Sequence, residues 1–395
     1  MNPAHHNGCA HQPEFKTMNA FRFDDWETVT PNPAPSAPRP APAGLGIAPA
    51  GATSATHPAP SLAPVNAADK RIVGGKTDIN QLAPFKYPWA WEFFLKANRN
   101  HWTPLEISMA QDVHDYHHKL SGAERHVFEN VLAYLTTSDI LAMRNIGLAV
   151  MEKMSAPELQ IYQARQVYEE ALHTWTYQHC IESIGLDQQE IYNRYRVVPA
   201  IHGKIALANR RLERVMRPDF DLTDRDNLHE FALSYFFFAA IFEGCWFYNG
   251  FTPIFALQRR GLMKGAAEQL QYIMRDEVLH CAFGIRVVRE LLKEEDLSLD
   301  PAALKALWDE AEAAESAYAA YILRDPILGY NADLHTRQFR FMANRRARQV
   351  GLAEPFPGAE NVLPWLDEQA NLRKEKNFFE TRVTEYQTGG ALAWE

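Results

Sequence analysis

Two Glu-x-x-His sequences are the clearest candidates for chemistry: Glu170-Ala-Leu-His173 and Glu277-Val-Leu-His280. Both lie in stretches with helical periodicity. Because residues three positions apart share one face of a helix, each motif directs a carboxylate and an imidazole to the same side. A single Glu-x-x-His is usually an exposed pair on a helix surface. Two copies in apolar helices favour a metal site.

A lone acidic residue precedes each motif by about the length of a helical hairpin. Asp139 lies 31 residues before Glu170 (170 − 139), and Glu243 lies 34 residues before Glu277 (277 − 243). Buried carboxylates without partners are costly, and a pair of cations removes that cost. The repeated unit predicts four carboxylates and two imidazoles, as in ferritin-like di-iron or di-manganese bundles. The predicted ligands are Asp139, Glu170, His173, Glu243, Glu277 and His280.

The helices that must position these ligands can be located from their starting signals. Ser121 with Glu124 and Ser155 with Glu158 have the spacing of capping boxes ahead of Asp139 and Glu170. Thr223 can cap the apolar helix that carries Glu243. No segment shows sustained alternation of apolar and polar residues, so no sheet is predicted. The expected fold class is all-α, a ferritin-like helical bundle.

An unusually apolar stretch, residues 231–257, is long enough to cross a membrane. Glu243 lies in its middle and would be costly in lipid, and Asn249 and Pro253 interrupt it. A helix that is apolar on all sides is usually buried in a protein core. The sequence therefore favours a core helix, and no membrane association is expected.

The chain divides into three segments by composition. Residues 1–66 are rich in Pro and Ala and are expected to be a disordered tail. Residues 67–370 are expected to form the helical di-metal domain. Residues 371–395 are expected to be a flexible tail whose apolar tip could fit a partner's groove, although a frayed terminus explains it equally well.

Charge and cysteine content limit the function classes. The formal net charge of −9 argues against a nucleic-acid partner, which requires a basic face. The four cysteines form no CxxC pair, which is typical of a protein in the reducing cytoplasm. The sequence has no P-loop and no GxGxxG at a strand–helix junction, so no nucleotide site is expected in this chain.

From about residue 68 to 395 the sequence resembles the beta, or small, subunits of class I ribonucleotide reductases. The resemblance rests on the RDExxH form from Arg275 to His280, on Asp139 as the first ligand, and on Tyr177 one turn after His173. It implies that Tyr177 carries a radical. It also implies that three apolar residues shield that radical. They are Phe247, Phe251 and Ile273. Without the resemblance, Tyr177 would be interpreted as an ordinary core tyrosine.

Three further residues match the family's route for electrons. Trp102 is similar to the tryptophan that relays an electron to the metals, and Asp276 to the aspartate that links it to a ligand histidine, here His173. Tyr386 in the C-terminal tail is similar to the mobile tyrosine that passes the radical to the large subunit. The resemblance thus implies that Trp102, Asp276, Tyr177 and Tyr386 are the catalytic residues.

The implied activity is that of the small subunit of ribonucleoside-diphosphate reductase. Two iron ions per chain, with manganese as the alternative, would react with dioxygen and leave a tyrosyl radical. The partners would be the large (alpha) subunit, bound through the C-terminal tail, and a second copy of this chain in a homodimer. The alternatives are a ferritin-like oxidase acting directly on a substrate, such as an acyl desaturase, and a metal-storage or scaffold protein.

Overall fold

The computed structural model describes residues 66–75, 82–217 and 219–366. Over these ranges no strand forms, and only two isolated β-bridges interrupt the helices and loops, so the all-α prediction is confirmed. In chain order the helices are α1 (Pro88–Ala97), α2 (Ala110–His118), α3 (Gly122–Asn145), α4 (Met151–Lys153), α5 (Pro157–Ile184), α6 (Gln188–Val197), α7 (Pro199–Leu212), α8 (Arg225–Phe236), α9 (Tyr248–Gln258), α10 (Lys264–Glu294), α11 (Pro301–Ile322) and α12 (Ala332–Val350).

Four long elements form a closed ring around the core. Helix α3 packs against α5, α5 against α10, and α10 against both α9 and the π-helical segment Phe237–Phe247 that precedes it; α9 packs back on α3. Each ring helix buries an apolar face against its neighbours. The interior of this ring holds the predicted ligands. The two predicted tails, residues 1–66 and 371–395, lie outside the described residues except for Asn66.

The caps of two ring elements follow partly from sequence. Ser121 and Glu124 form the predicted capping box at the start of α3. The prediction for the Glu243 helix is wrong by one position, because Asp224 rather than Thr223 accepts the backbone N–H groups of the first turn. Thr223 instead donates its hydroxyl hydrogen to Asp221.

The predicted capping box at Ser155 is wrong. Helix α5 begins with Pro157, whose fixed φ suits the first helical position, and Ala156 is its cap residue. The Ser155 hydroxyl binds an earlier segment instead, accepting from the Gly75 N–H at 2.9 Å and donating to the Arg71 carbonyl at 2.8 Å. The local spacing is compatible with a cap, but the Ser155 hydroxyl bonds to the distant segment and not to the first turn of α5.

The apolar stretch contains a structural feature that the sequence does not reveal. Residues Phe237–Phe247 form eleven residues of π-helix between α8 and α9, and all of them are buried. Such wide turns are rare and occur often at functional sites. The continuous helical stretch Arg225–Gln258 is long and apolar enough to cross a membrane, but 94% of its most apolar window is buried within the protein, as in a core helix.

Candidate metal centre

The six predicted ligands come from all four sides of the ring. Asp139 lies on α3, Glu243 in the π-helical segment, and the Glu-x-x-His pairs on α5 and α10. Each of the six side chains is at most 1% exposed. They form two overlapping groups in which the potential ligand atoms lie within 4.8 Å of one another. The first group is Asp139, Glu170, His173 and Glu277, and the second is Glu170, Glu243, Glu277 and His280.

The first group is built around His173. Its Nδ1 lies 3.3 Å from Asp139 Oδ1, 3.4 Å from Glu277 Oε1 and 3.6 Å from Glu170 Oε2. Three helices therefore bring one imidazole nitrogen and three carboxylates to one point. That donor set suits a hard or borderline divalent cation.

The second group repeats the pattern around His280. Its Nδ1 lies 3.2 Å from Glu170 Oε1, 3.4 Å from Glu277 Oε2 and 3.5 Å from Glu243 Oε2. Glu170 and Glu277 belong to both groups and direct one oxygen to each. Two carboxylates shared in this way could bridge two adjacent ions.

The hydrogen bonding of the site tests whether metal ions fit it. Buried polar atoms without partners cost ~1–3 kcal/mol each, so folded proteins rarely leave them clustered. Here unpartnered atoms concentrate on the six side chains, and a pair of cations would satisfy them together. The carboxylate-rich set suits iron or manganese better than zinc. The unpartnered atoms are Asp139 Oδ2, both carboxylate oxygens of Glu170 and Glu277, Glu243 Oε2, and Nδ1 of His173 and His280.

The close approach of four carboxylates and two imidazoles also shifts pKa values within the metal-free site. Burial raises the pKa of Asp139 and Glu243 well above the usual range. Burial acts to lower the pKa of His173 and His280, but hydrogen bonds to the surrounding carboxylates outweigh it and raise both. These directions favour the protonated forms of the four side chains, so metal ions compete with protons for the site.

A carboxylate fixes the outward nitrogen of each imidazole. His173 Nε2 lies 3.2 Å from Asp276 Oδ2, and His280 Nε2 lies 2.9 Å from Glu169 Oε2. This arrangement leaves each Nδ1 free for a metal and is typical of metal-binding histidines. Glu169 in turn accepts from Arg165 Nε at 2.9 Å.

Sequence reasoning missed two residues that support the ligands. Glu169 immediately precedes Glu170, and the signal was the pair of adjacent glutamates in an apolar helix. Gln166, one turn before Glu170, donates from Nε2 to Glu243 Oε1 at 3.2 Å. Both are buried. Their positions on the inner side of α5 could have identified them as partners of the ligands.

Trp102 is joined to the cluster through Asp276. Trp102 Nε1 donates to Asp276 Oδ2 at 3.5 Å, and the same oxygen faces His173. The indole is 4% exposed and stacks on Tyr272, with 5.3 Å between ring centroids. Asn100 also donates to Asp276, at 2.5 Å. A continuous chain of polar contacts therefore runs from a nearly buried indole to a candidate ligand.

Tyr177 lies against the first group of ligands. Its hydroxyl donates to Asp139 Oδ1 at 3.4 Å, and the side chain is fully buried. Burial, reinforced by the nearby carboxylates, raises the pKa of Tyr177 well above its usual value, so the phenol stays protonated. The predicted shielding residues Phe247, Phe251 and Ile273 are also fully buried. Tyr386 lies outside the described residues.

Two solved structures are similar to this fold. The ribonucleotide reductase R2 subunit from Clostridium botulinum matches with a TM-score of 0.67 at 22% identity, covering 76% of this chain and 93% of that chain. The dimanganese(II)-NrdF of Streptococcus sanguinis matches with a TM-score of 0.58 at 19% identity, covering 74% of this chain and 98% of that chain. These likenesses confirm the ferritin-like fold.

Sequence relatives identify the family. The family model described as "Ribonucleotide reductase, small chain" matches residues 79–364. The chain is 38% identical over 324 residues to the ribonucleoside-diphosphate reductase subunit beta of Chlamydia pneumoniae, covering 81% of this chain and 93% of that protein. It is 31% identical over 315 residues to the small subunit of Dictyostelium discoideum, with coverages of 79% and 87%. The chain therefore belongs to the ribonucleotide reductase small-chain family, as a small subunit of a ribonucleoside-diphosphate reductase.

Proposed function

We propose that this chain generates the radical for its reductase: it binds two iron ions at the six-ligand cluster and stores one oxidising equivalent on Tyr177. The observation that carries the proposal is the contact between the Tyr177 hydroxyl and Asp139, a member of a buried cluster with unpartnered ligand atoms. A tyrosine in this position has an oxidisable ring beside the metals and an acceptor for its proton.

Bound iron would supply the reduction of dioxygen that takes one electron from Tyr177 and leaves a neutral tyrosyl radical. The protein's part is to hold the ligands, exclude water and manage the proton. When Tyr177 loses an electron its phenol becomes strongly acidic, and Asp139 Oδ1 is the acceptor within reach. Full burial of the ring protects the radical from solvent reductants.

A second reducing equivalent is needed, and the contacts of Trp102 suggest its route. Trp102, Asp276 and His173 form a chain of contacts of 3.5 and 3.2 Å. We propose that an electron enters through Trp102, and that the oxidising equivalent later leaves by the same residue. Tyr386 would carry it onward to the large subunit, which residues 371–395 would bind.

A second copy of this chain is the other proposed partner. The outer faces of α3 and α5, with the π-helical segment Ile146–Val150 after α3, carry large apolar side chains: Ile140 is 38% exposed, Leu148 56%, Tyr168 53% and Trp175 43%. An apolar face of this kind on paired helices suits a homodimer interface. Trp175→Glu should therefore shift sedimentation toward a monomer. Leu328→Glu, at an apolar residue that is 74% exposed in another part of the chain, should not.

The metal and the compartment are proposed on chemical grounds. Iron is preferred because Tyr177 provides a site for the radical that iron and dioxygen can generate, and manganese is the alternative because it accepts the same ligands. One similar structure is titled as a dimanganese(II) protein. We expect a cytoplasmic protein, because Cys180, Cys245 and Cys281 are unpaired and buried.

The deciding experiment is electron paramagnetic resonance with metal analysis on protein loaded with ferrous iron and exposed to air. We expect about two irons per chain, as the two ligand groups imply, and a tyrosyl signal that Tyr177→Phe abolishes. Tyr162→Phe is the matched control, because Tyr162 is equally buried on the same helix. Bound iron with no radical would lead us to test manganese with an activating flavoprotein, and no signal there would overturn the proposal.

The rival function is a direct oxidase of an organic substrate. Such an enzyme would need no C-terminal partner peptide. Deleting residues 377–395 should abolish reductase activity with the large subunit while leaving the radical yield unchanged. A direct oxidase would show no reductase activity with the large subunit at either length, and its own activity would survive the deletion.

A further inference from the structure

A second buried cluster of charges lies outside the metal centre. Lys204, on α7, is fully buried, and its Nζ lies 2.5 Å from Glu315 Oε2 on α11. The other oxygen, Glu315 Oε1, accepts from His335 Nε2 at 2.6 Å and from Asn249 Nδ2 at 2.8 Å. The carboxylate is therefore engaged by three groups, whereas no other carboxylate pairs with the ammonium among the described residues.

Three electron-rich rings surround the ammonium. Lys204 Nζ lies 3.8 Å from the ring centroid of Tyr134, 4.6 Å from that of Tyr318 and 4.9 Å from that of Trp246. Each distance is within the range of a cation–π interaction, and such interactions strengthen when water is excluded. Burial lowers the pKa of Lys204 to about 8, so the side chain remains mostly charged at neutral pH.

Two of these rings, Tyr134 and Trp246, lie close in sequence to the metal ligands. Tyr134 precedes Asp139 by five residues on α3, about 7.5 Å along the helix axis. Trp246 follows Glu243 by three residues in the π-helical segment. Tyr134 and Tyr318 are in ring contact, with 5.0 Å between centroids. Phenols and indoles are readily oxidised, so these rings are potential electron donors beside an oxidising site.

None of the three rings has a base to accept its proton. The only polar side chain that interacts with the Tyr134 hydroxyl is Ser138, whose hydroxyl is not a base, and Trp246 Nε1 has no hydrogen-bond partner among the described residues. Ser138 donates to the Tyr134 backbone carbonyl, and Tyr318 donates to the backbone carbonyl of Asn130. A ring that lost an electron here would remain a radical cation, directly against the positive charge of Lys204.

We propose that the Lys204 ammonium stabilises the Tyr177 radical against reduction by nearby rings. Its positive charge opposes oxidation of Tyr134, Tyr318 and Trp246, so the oxidising equivalent stays on Tyr177. This inference rests on the proposed radical function. The reaction it prevents is a one-electron transfer from the Trp246 indole, or a tyrosine ring, to the Tyr177 phenoxyl radical. Tyr177 would regain a proton from the carboxylate cluster and become a phenol, and the donor ring would become a radical cation.

The test is the lifetime of the Tyr177 radical in Lys204→Met. We expect the half-life of the resonance signal to shorten about tenfold, equivalent to about 1.4 kcal/mol, and oxidised peptides containing Trp246 or Tyr134 to accumulate in mass spectra. The variant K204M/W246F should recover part of the half-life, because one of the three potential donor rings is gone. A purely structural role of Lys204 would not be rescued by a second core substitution.

Two further variants separate this role from loss of stability. Asn249→Ala weakens the same network at Glu315 but leaves the ammonium on the rings, so the half-life should match that of the parent chain. If K204M does not fold, K204M/E315Q removes both charges of the Lys204–Glu315 ion pair together, so that Glu315 is not left without its ammonium. An unchanged half-life in the Lys204 variants would overturn the inference alone. No radical in the parent chain would overturn the proposed function, and this inference with it.

Discussion

The two buried charge clusters of this protein differ in how their charges are balanced. In the Lys204 cluster an ammonium and an imidazole face one carboxylate, Glu315, at 2.5 and 2.6 Å. In the metal centre four carboxylates face two imidazoles, and the ligand atoms that converge there lack hydrogen-bond partners. The first cluster pairs its carboxylate with positive charge from the protein itself, and the second lacks positive charge.

The difference shows which feature indicates a metal site. Burial of ionisable groups is common to both clusters, and so is their position inside a helical core. Only an excess of negative charge, with ligand atoms directed at a common point, calls for a cation from outside. The comparison predicts that metal ions change the stability of one cluster and not of the other.

Metal loading is expected to give the largest effect. Manganese(II) under anaerobic conditions should raise the free energy of unfolding by about 4 kcal/mol per ion when free metal is 1,000 times its dissociation constant. Thermal unfolding with and without metal measures this rise. Glu277→Ala removes a ligand shared by both groups and should lose most of it. An equal rise in that variant would contradict the proposed site.

Removing Glu315 from the Lys204 cluster should lower the free energy of unfolding by nearly as much, and the loss should not depend on metal. Glu315→Ala leaves a buried ammonium without its counter-ion, for which losses of about 3–5 kcal/mol are typical. The loss in denaturant unfolding should be the same in metal-free and metal-loaded protein. Glu310 lies on the same helix as Glu315 and forms an exposed ion pair with Arg211. Glu310→Ala should lower the free energy of unfolding by less than about 1 kcal/mol.

The Lys204–Glu315 ion pair also makes stability depend on pH in acid. Burial acts to raise the pKa of Glu315, but the charges of Lys204 and His335 outweigh it and lower the pKa from its ordinary value of 4.5 to about 2. Because the folded state then binds the proton more weakly, this contribution to stability is present above pH 4.5 and is lost as the pH falls toward 2. Glu315→Ala should flatten that part of the pH profile of unfolding.

The convergence of the six ligands could be predicted from sequence because it depends on local geometry. A spacing of three residues places Glu170 beside His173 whatever the rest of the fold does, and hairpin-length gaps bring Asp139 and Glu243 back to the same level. The all-α class follows from helical periodicity for the same reason. Local patterns determined these features, so one sequence was enough.

What could not be predicted depends on contacts between distant segments. Ser155 has the spacing of a cap, but residues 71 and 75 occupy its hydroxyl. The π-helical turns around Glu243 arise within a mostly apolar run in which no residue pattern indicates a change of helix type. The ion pair of Lys204 on α7 with Glu315 forms only because α11 packs against α7. Ser155 and Lys204 each depend on a partner that is remote in sequence.

Removing the carboxylate of Glu169, which orients the ligand His280, should have an intermediate effect on metal affinity. Glu169→Gln weakens the contact that orients His280, and such outer contacts are worth about 10–100-fold in metal affinity. Competition with a chelator under anaerobic conditions measures the change. Glu182→Gln alters an exposed glutamate on the same helix and should leave the affinity unchanged. Equal affinities in the two variants would remove Glu169 from the site.

Glu243→Gln should change stability least, but the sign of the change should differ between metal-free and metal-loaded protein, which makes this variant the most diagnostic. Burial raises the pKa of Glu243 well above its usual range and so favours its neutral form in the metal-free cluster, which Glu243→Gln imitates. The metal-free variant should be as stable as the parent chain or more stable, by up to about 1 kcal/mol. With metal bound, it should be less stable, because a ligand charge is missing. A loss of stability in both states would mean that Glu243 is a structural residue like Glu315, and the contrast between the two clusters would fail at that position.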